Sequence, residues 1–140
     1  MTARGLRNNN PLNLRPGAKP WLGELQPPDD GYCRFIDPEH GLRAACKLLL
    51  TYQSKYGLKT IREIIHRWAP PSDNNPTDAY VAYVAGICGT DADAPIDLND
   101  ASVLSSMLLG MVQQEEGVQP YSITVLERAA SQAVGDGLEW

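Results

Sequence analysis

The stretch from Asn99 to Gly117, NDASVLSSMLLGMVQQEEG, constrains the fold more than any other part of this sequence. Asn99 and Asp100 can cap a helix at its N-terminus, and Gly117 can provide a left-handed stop, so the stretch predicts one helix. At about 100° per residue, apolar side chains form a continuous stripe along one side of it. The stripe runs through Leu104, Leu108 and Met111, with Met107 and Val112 on its flanks.

Glu115 falls in the middle of this stripe one turn further on, whereas Glu116 lies near its edge. A carboxyl group that follows an apolar stripe into the protein is partly desolvated, and its pKa rises because the charged form is disfavoured. A carboxyl group that stays protonated near neutral pH can act as a general acid. In the alternative interpretation the helix frays before Glu115, and both glutamates are solvated.

The composition favours one globular domain and excludes some partners. The chain has 140 residues, which suits a single domain spanning residues 1–140, and we expect residues 135–140 to form a loose tail. Acidic residues outnumber basic ones, 17 to 12, and the net charge is −5. Because non-specific nucleic-acid binding needs clustered cations, we expect no nucleic-acid partner.

The sequence also lacks the usual marks of a membrane segment, a leader or a metal site. No apolar run is long enough to cross a bilayer, and the N-terminus has no apolar core of a signal peptide, so neither membrane insertion nor a secretory leader is predicted. His40 and His66 have no partner at metal-ligand spacing. The sequence therefore predicts no metal and no cofactor.

Capping residues and apolar periodicity indicate four further helices. They run from Pro38 to Tyr56, Ile61 to Trp68, Pro76 to Cys88 and Ile123 to Val134. Asp37 is the predicted cap of the first, Thr60 and Glu63 form a capping box in the second, and Asn75 is the predicted cap of the third.

Residues 1–36 contain five prolines, which exclude a continuous helix there. Short extended pieces are expected at Leu12–Arg15 and Tyr32–Ile36, and Pro20–Asp30 is expected to be a surface loop with Trp21 as an anchor or stacking face. The fold class is therefore mainly α (α+β), with about five helices and a small β element near the N-terminus.

An asparagine-rich segment lies within this irregular region, as Asn8, Asn9 and Asn10 precede Pro11 and Asn13 follows. An asparagine side chain both donates and accepts hydrogen bonds, so such a loop can bind a neutral polar ligand such as a sugar. Alternatively, Asn8 to Asn10 form a turn in which the side chains bond to the local backbone.

Three stretches, taken together and in order, resemble the autolysin-type glucosaminidases and the goose-type lytic transglycosylases of the lysozyme-like superfamily. They are NNNPLNLR at 8–15, CRFIDPEHGLRAACKLLL at 33–50 and WAPPSDNNPTDAYVAYV at 68–84. In those families a tyrosine of the third stretch faces the active site, and Tyr80 matches it. The resemblance covers most of residues 4–121 and implies a lysozyme-like helical domain.

The sequence departs from the family pattern in one respect. A helix with the catalytic glutamate precedes the asparagine segment in those families, but here the matching Glu115-Glu116-Gly117 lies near the C-terminus. The resemblance therefore implies a circularly permuted domain, which is physically permissible because domain termini are often close together. The chain also resembles small phage and prophage proteins, described as virion structural proteins or lysozymes, that open with the same RG-x-R-NNNP motif.

The resemblance implies a glycosidase or lytic transglycosylase that cleaves peptidoglycan, with Glu115 as general acid and Tyr80 beside it. It implies that polar and aromatic side chains bind the substrate: Asn8, Asn9, Asn10, Asn13, Arg15, Trp21, Asn74, Asn75 and Gln114. A second carboxylate could come from Glu24, Asp29, Asp30 or Asp37, or the N-acetyl group of the substrate could replace it.

Two further expectations concern location and the competing function. The protein is expected to be made in the bacterial cytoplasm and to act at the cell wall or in the periplasm, either within a virion or together with secretion-system proteins. The alternative function is a non-catalytic virion or wall-binding protein that keeps a lysozyme-like shape. The acidic surface favours the alternative, because a bacterial wall is itself anionic.

Overall fold

The computed structural model describes residues 3–137, and this part of the chain is mainly helical with one small antiparallel sheet near the N-terminus. Its regular elements in chain order are α1 (Arg4–Arg7), β1 (Glu24–Asp29), β2 (Tyr32–Phe35), α2 (Pro38–Tyr56), α3 (Ile61–Trp68), α4 (Thr77–Cys88), α5 (Ala101–Glu116) and α6 (Ile123–Gly135). A 3₁₀ turn, Pro71–Asp73, lies between α3 and α4. The predicted fold class is confirmed.

The helix bounds follow the capping signals of the sequence closely. Asp37 accepts a hydrogen bond from the His40 amide at the start of α2, and Thr60 and Glu63 form the predicted capping box of α3. Asp100 caps α5, and Gly117 ends it in the left-handed conformation.

Two predicted helix ends are wrong. The side chain of Asn75 does not cap α4, because it donates instead to the carbonyl of Pro70, and Pro76 occupies the N-cap position. The last helix continues through Gly135, so the predicted loose tail does not begin there. The rest of that prediction, residues 138–140, lies outside the described residues.

The N-terminal region differs most from the prediction. Glu24–Asp29 is not a surface loop but strand β1, which pairs with β2 so that Glu24 lies opposite Phe35 and Asp29 opposite Tyr32. Its prolines are tolerated because a two-stranded sheet leaves edge positions that need no amide donor. Residues 12–15 form no strand, and the short helix α1 was not predicted.

The core is built around α5, which packs between α4 and α6, while α2 packs against α6. The predicted stripe is confirmed, since all five of its side chains are fully buried: Leu104, Met107, Leu108, Met111 and Val112. Burying large apolar side chains stabilises a fold by about 1.5–3 kcal/mol each. The stripe therefore fixes the rotation of α5 about its axis, and with it the direction in which Glu115 points.

Polar contacts fix the end of α6 on α2. The guanidinium of Arg43 is almost fully buried and pairs with the Asp136 carboxylate, with Nε and Oδ2 2.7 Å apart. The Lys47 ammonium donates to the carbonyl of Gly137 and, at 3.3 Å, to that of Ala133. Lys47 thus satisfies carbonyls at the end of α6, while Arg43 neutralises the Asp136 carboxylate there.

The asparagine-rich segment is held in the fold by its own side chains and by a close backbone approach to α2. Asn10 is 1% exposed, donates to the carbonyls of Leu14 and Cys33, and accepts from the Leu14 amide. Gly41 of α2 lies so close to the Asn9 carbonyl that a Cβ atom would collide with it. The loop is therefore seated directly against α2.

Replacing Asn10 with alanine tests whether its hydrogen bonds stabilise the fold. Asn10→Ala removes three buried hydrogen bonds, to the Leu14 and Cys33 carbonyls and from the Leu14 amide, so we expect the free energy of unfolding to fall by about 2 kcal/mol or more. Urea denaturation measures the change. Asn99→Ala is the matched control, because Asn99 is exposed and should lose less than about 0.5 kcal/mol. Equal losses of unfolding free energy in the two variants would contradict the structural role assigned to Asn10.

Candidate active site

The carboxyl group of Glu115 lies at the C-terminal end of α5 and accepts hydrogen bonds from three separate parts of the chain. Oε2 accepts from the Tyr80 hydroxyl at 3.0 Å and from Trp68 Nε1 at 3.3 Å, while Oε1 accepts from Asn13 Nδ2 at 3.2 Å. The fraying of α5 before Glu115, the alternative stated above, does not occur, because the helix continues through Glu116.

Burial raises the pKa of Glu115 above its usual range, because desolvation penalises the carboxylate more than the neutral acid. The hydrogen bonds from Asn13, Tyr80 and Trp68 act in the opposite direction, since each stabilises the charged form, but the net change is upward. Glu115 is thus a carboxylic acid whose proton is held more tightly than in water and whose carboxylate, once formed, has three donors already in place.

Tyr80 can act here only as a neutral donor. It is 3% exposed, and its burial, together with the neighbouring Glu115 carboxylate, raises the pKa of the Tyr80 hydroxyl far above its ordinary value. The Tyr80 hydroxyl therefore stays protonated at any physiological pH and donates its hydrogen bond to Glu115.

Glu116 faces a different environment. Its Oε2 lies 3.5 Å from Asn13 Nδ2, and a Cβ atom at Gly5 of α1 would collide with the same oxygen. Burial and the charge of Glu115 both raise the pKa of Glu116. Glu116 packs under the N-terminal segment, however, and is not among the residues that line the groove described next.

Glu115 opens onto a groove of about 700 Å³ between the N-terminal segment on one side and α2, α3 and the turn after α3 on the other. Polar and aromatic side chains line it: Asn13, Arg15, Tyr32, Tyr52, Trp68, Asp73, Asn75 and Glu115. Leu12, Leu14, Leu48 and Ala69 complete the walls. A groove of this size, lined by a carboxyl group of raised pKa and several hydrogen-bonding groups, suits a polar chain-like ligand.

The predicted site residues separate into two groups. Asn13, Arg15 and Asn75 line the groove with Glu115, and Tyr80 contacts Glu115 from behind. Trp21 lies in an adjoining cavity. The other predicted residues do not line the groove. Asn8 bonds to the Asp29 carboxylate, Asn9 to the carbonyl of Phe35, and Asn10 to the carbonyls of Leu14 and Cys33. Asn74 and Gln114 also lie outside the groove.

None of the four carboxylates considered for a second role lines the groove. Asp29 and Asp30 pair with Arg7 and Arg4, Asp37 caps α2, and Glu24 accepts from the Trp21 amide. Asp73, at the end of the 3₁₀ turn, lines it instead. Nothing in the sequence marks Asp73 as a site residue, because it lies in a polar loop of ordinary composition.

Sequence reasoning also missed two aromatic residues of the site. Trp68 is the last residue of α3, and its indole N–H donates to Glu115. Tyr52 packs edge-on against Trp68, with ring centroids 5.8 Å apart, and both line the groove. Both residues lie where α2 and α3 border the groove. The sequence does not reveal this position, because it depends on how the two helices pack.

Within residues 3–137, no group of three or more His, Cys, Asp or Glu side chains is arranged to hold a metal ion. None of the helices described there is both long and apolar enough to cross a membrane.

Comparison with known proteins finds a relative encoded by a phage. It is 37% identical over 142 residues to Protein P5 of Pseudoalteromonas phage PM2, an alignment that covers 99% of this chain and 81% of the relative. The chain belongs to the Protein P5 family. No protein-family model matches the sequence. The site of this Protein P5 relative must therefore be interpreted from its own geometry.

Tyr80→Phe tests the hydrogen bonding of the acid. Removing the hydroxyl withdraws a donor that favours the carboxylate, so the pKa of Glu115 should rise further above its wild-type value. NMR titration of the glutamate side-chain carboxyl carbons measures it. Tyr83→Phe, on the exposed side of the same helix, is the control and should leave that pKa in place. A lower pKa in Tyr80→Phe would contradict the assigned direction of the bond.

Proposed function

We propose that this protein cleaves the glycan strand of peptidoglycan, with Glu115 as the general acid. The observation that carries the proposal is a carboxyl group with a raised pKa at the floor of an open polar groove. Glycoside cleavage requires such an acid, because the departing sugar oxygen must receive a proton as its bond to the anomeric carbon breaks.

In this mechanism the neutral Glu115 donates its proton to the glycosidic oxygen of a strand lying in the groove. The C–O bond breaks, the electron pair leaves with the protonated oxygen, and positive charge develops on the sugar. Glu115 becomes a carboxylate, which the hydroxyl of Tyr80 and the indole N–H of Trp68 then stabilise. Hydrogen bonds that strengthen as charge develops lower the barrier.

The developing positive charge needs a partner of its own. Asp73 is the acidic side chain besides Glu115 that lines the groove, and its carboxylate can stabilise the sugar cation or activate water. The N-acetyl group of the substrate can fill the same role without any protein carboxylate. The activity of an Asp73→Asn variant distinguishes these two routes.

We further propose that the domain is a circularly permuted member of the lysozyme-like superfamily. In support, the C-terminal Glu115 contacts Asn13 of the asparagine-rich stretch and both Trp68 and Tyr80 of the third stretch. These are the segments whose order resembles the autolysin-type and goose-type enzymes. In the proposed permuted domain these segments still surround one catalytic acid, although the chain begins at a different point of the fold.

A second candidate function is a non-catalytic virion or wall-binding protein. Its family relative is a phage protein, and the net charge of −5 favours a non-catalytic role within a virion, because an acidic protein is poorly suited to work on an anionic wall. In this case the groove binds glycan strands but leaves them intact.

The variant Glu115→Gln separates the two functions. It preserves shape but removes the transferable proton, so we expect clearing of purified peptidoglycan by the wild type and a loss of about 100-fold or more in the variant. Zymography and a turbidity assay measure both. Glu127→Gln, an exposed glutamate on α6, is the matched control and should retain full activity. If the wild type is inert on every peptidoglycan tried, the binding function is favoured.

Asp73→Asn tests the second carboxylate. If Asp73 stabilises the sugar cation or activates water, the variant should lose about 100-fold in turnover, the usual scale for such a group. The exposed Asp78→Asn, in the first turn of α4, is the control. Mass spectrometry of the products separates hydrolysis from anhydro-sugar formation. Full activity of Asp73→Asn would assign the second role to the substrate.

A further inference from the structure

A second cavity of about 380 Å³ adjoins the groove. Its walls are apolar and come from Leu14, Ala18, Trp21 and Leu48, and its rim carries Arg15 and Lys19. We call it the apolar bay. Leu14, Arg15 and Leu48 line both the groove and the bay, so the two form one continuous depression. A ligand bound in the groove can thus extend a branch into the bay.

The charges at the rim stand out against the rest of the N-terminal segment. Arg4 and Arg7 pair with Asp30 and Asp29. Arg15 and Lys19 are exposed, and neither forms an ion pair with any residue in the described part of the chain. Two unneutralised cations side by side in an acidic protein favour an anionic ligand.

Arg15 is also held in place rather than left to sample solvent. Its guanidinium lies 4.3 Å from the centroid of the Tyr32 ring and donates to the Tyr32 hydroxyl at 3.0 Å. Stacking on an aromatic ring leaves the guanidinium edge free for a carboxylate. The charge is therefore preorganised at the boundary between groove and bay.

We propose that the apolar bay binds the peptide substituent of the glycan strand, a short chain with alanyl methyl groups and free carboxylates. The inference rests on the proposed function and specifies its substrate as peptide-bearing strands. Apolar walls suit methyl groups and offer few partners to sugar hydroxyls, while Arg15 and Lys19 pair with carboxylates. The groove then holds the sugars, and the bay selects strands that still carry peptides.

The test compares two substrates and one pair of variants. Intact peptidoglycan and strands stripped of peptides by an amidase are given to the wild type, to Lys19→Glu and to Lys59→Glu. Lys59 is an exposed lysine that lines neither the groove nor the bay, so Lys59→Glu is the matched control for charge. In parallel, a synthetic stem tetrapeptide is titrated by calorimetry into Glu115→Gln protein with and without Lys19→Glu.

We expect the wild type to cleave peptide-bearing strands with a kcat/KM about tenfold above that for stripped strands. Lys19→Glu should reduce this preference toward one and weaken tetrapeptide binding about tenfold, because it replaces attraction by repulsion. Lys59→Glu should keep the wild-type preference. Equal wild-type turnover of both substrates, or an equal effect of the two lysine variants, would overturn the inference.

The calorimetric arm keeps this inference distinct from the proposed function. If the wild type cleaves neither substrate, the proposed function fails, and the titration alone decides the bay. Tetrapeptide binding that Lys19→Glu weakens then supports a peptide site in a non-catalytic protein. Absence of measurable tetrapeptide binding overturns the bay as a peptide site, whatever the enzymatic result.

Discussion

The whole arrangement depends on one buried carboxyl group and its three donors. Asn13, Trp68 and Tyr80 lie 102, 47 and 35 residues from Glu115, and all three reach it. Burying a carboxyl group is costly unless it is hydrogen-bonded, so any shift of the N-terminal loop or of α3 and α4 away from the end of α5 would expose or orphan it. One side chain thus ties the two ends and the middle of the chain together.

The same contacts put two opposing influences on the proton of Glu115. Desolvation favours the neutral acid, while the donors favour the carboxylate, and the pKa remains raised because desolvation prevails. In the proposed reaction both influences help, since desolvation favours the proton-bearing acid and the three donors stabilise the carboxylate that forms when the proton leaves. A lone buried glutamate would hold the proton but could not accommodate the charge left behind.

The four asparagines of the asparagine-rich segment have different roles in the structure. Asn10 folds the loop onto Leu14 and Cys33, and Asn9 and Asn13 adopt left-handed backbone conformations, with φ of 54° and 57°, which asparagine tolerates better than most residues. Only Asn10 bonds to the local backbone, at Leu14, whereas the side chains of Asn8 and Asn9 bond to the distant Asp29 and Phe35. Sugar binding by this segment stays a prediction. Asn8, Asn9 and Asn10 build the loop, and Asn13 alone among these four lines the groove.

The sequence by itself determined the five longer helices, α2 to α6, and the phase of α5. Caps at Asp37, Thr60 and Asp100 and the stripe from Leu104 to Met111 depend on local geometry, which neighbouring residues fix. The tertiary structure alone decided what surrounds Glu115. That Trp68, Tyr52 and Asp73 share a groove with it, and that β1 forms despite its prolines, follows from packing between distant segments, which no spacing along the chain encodes.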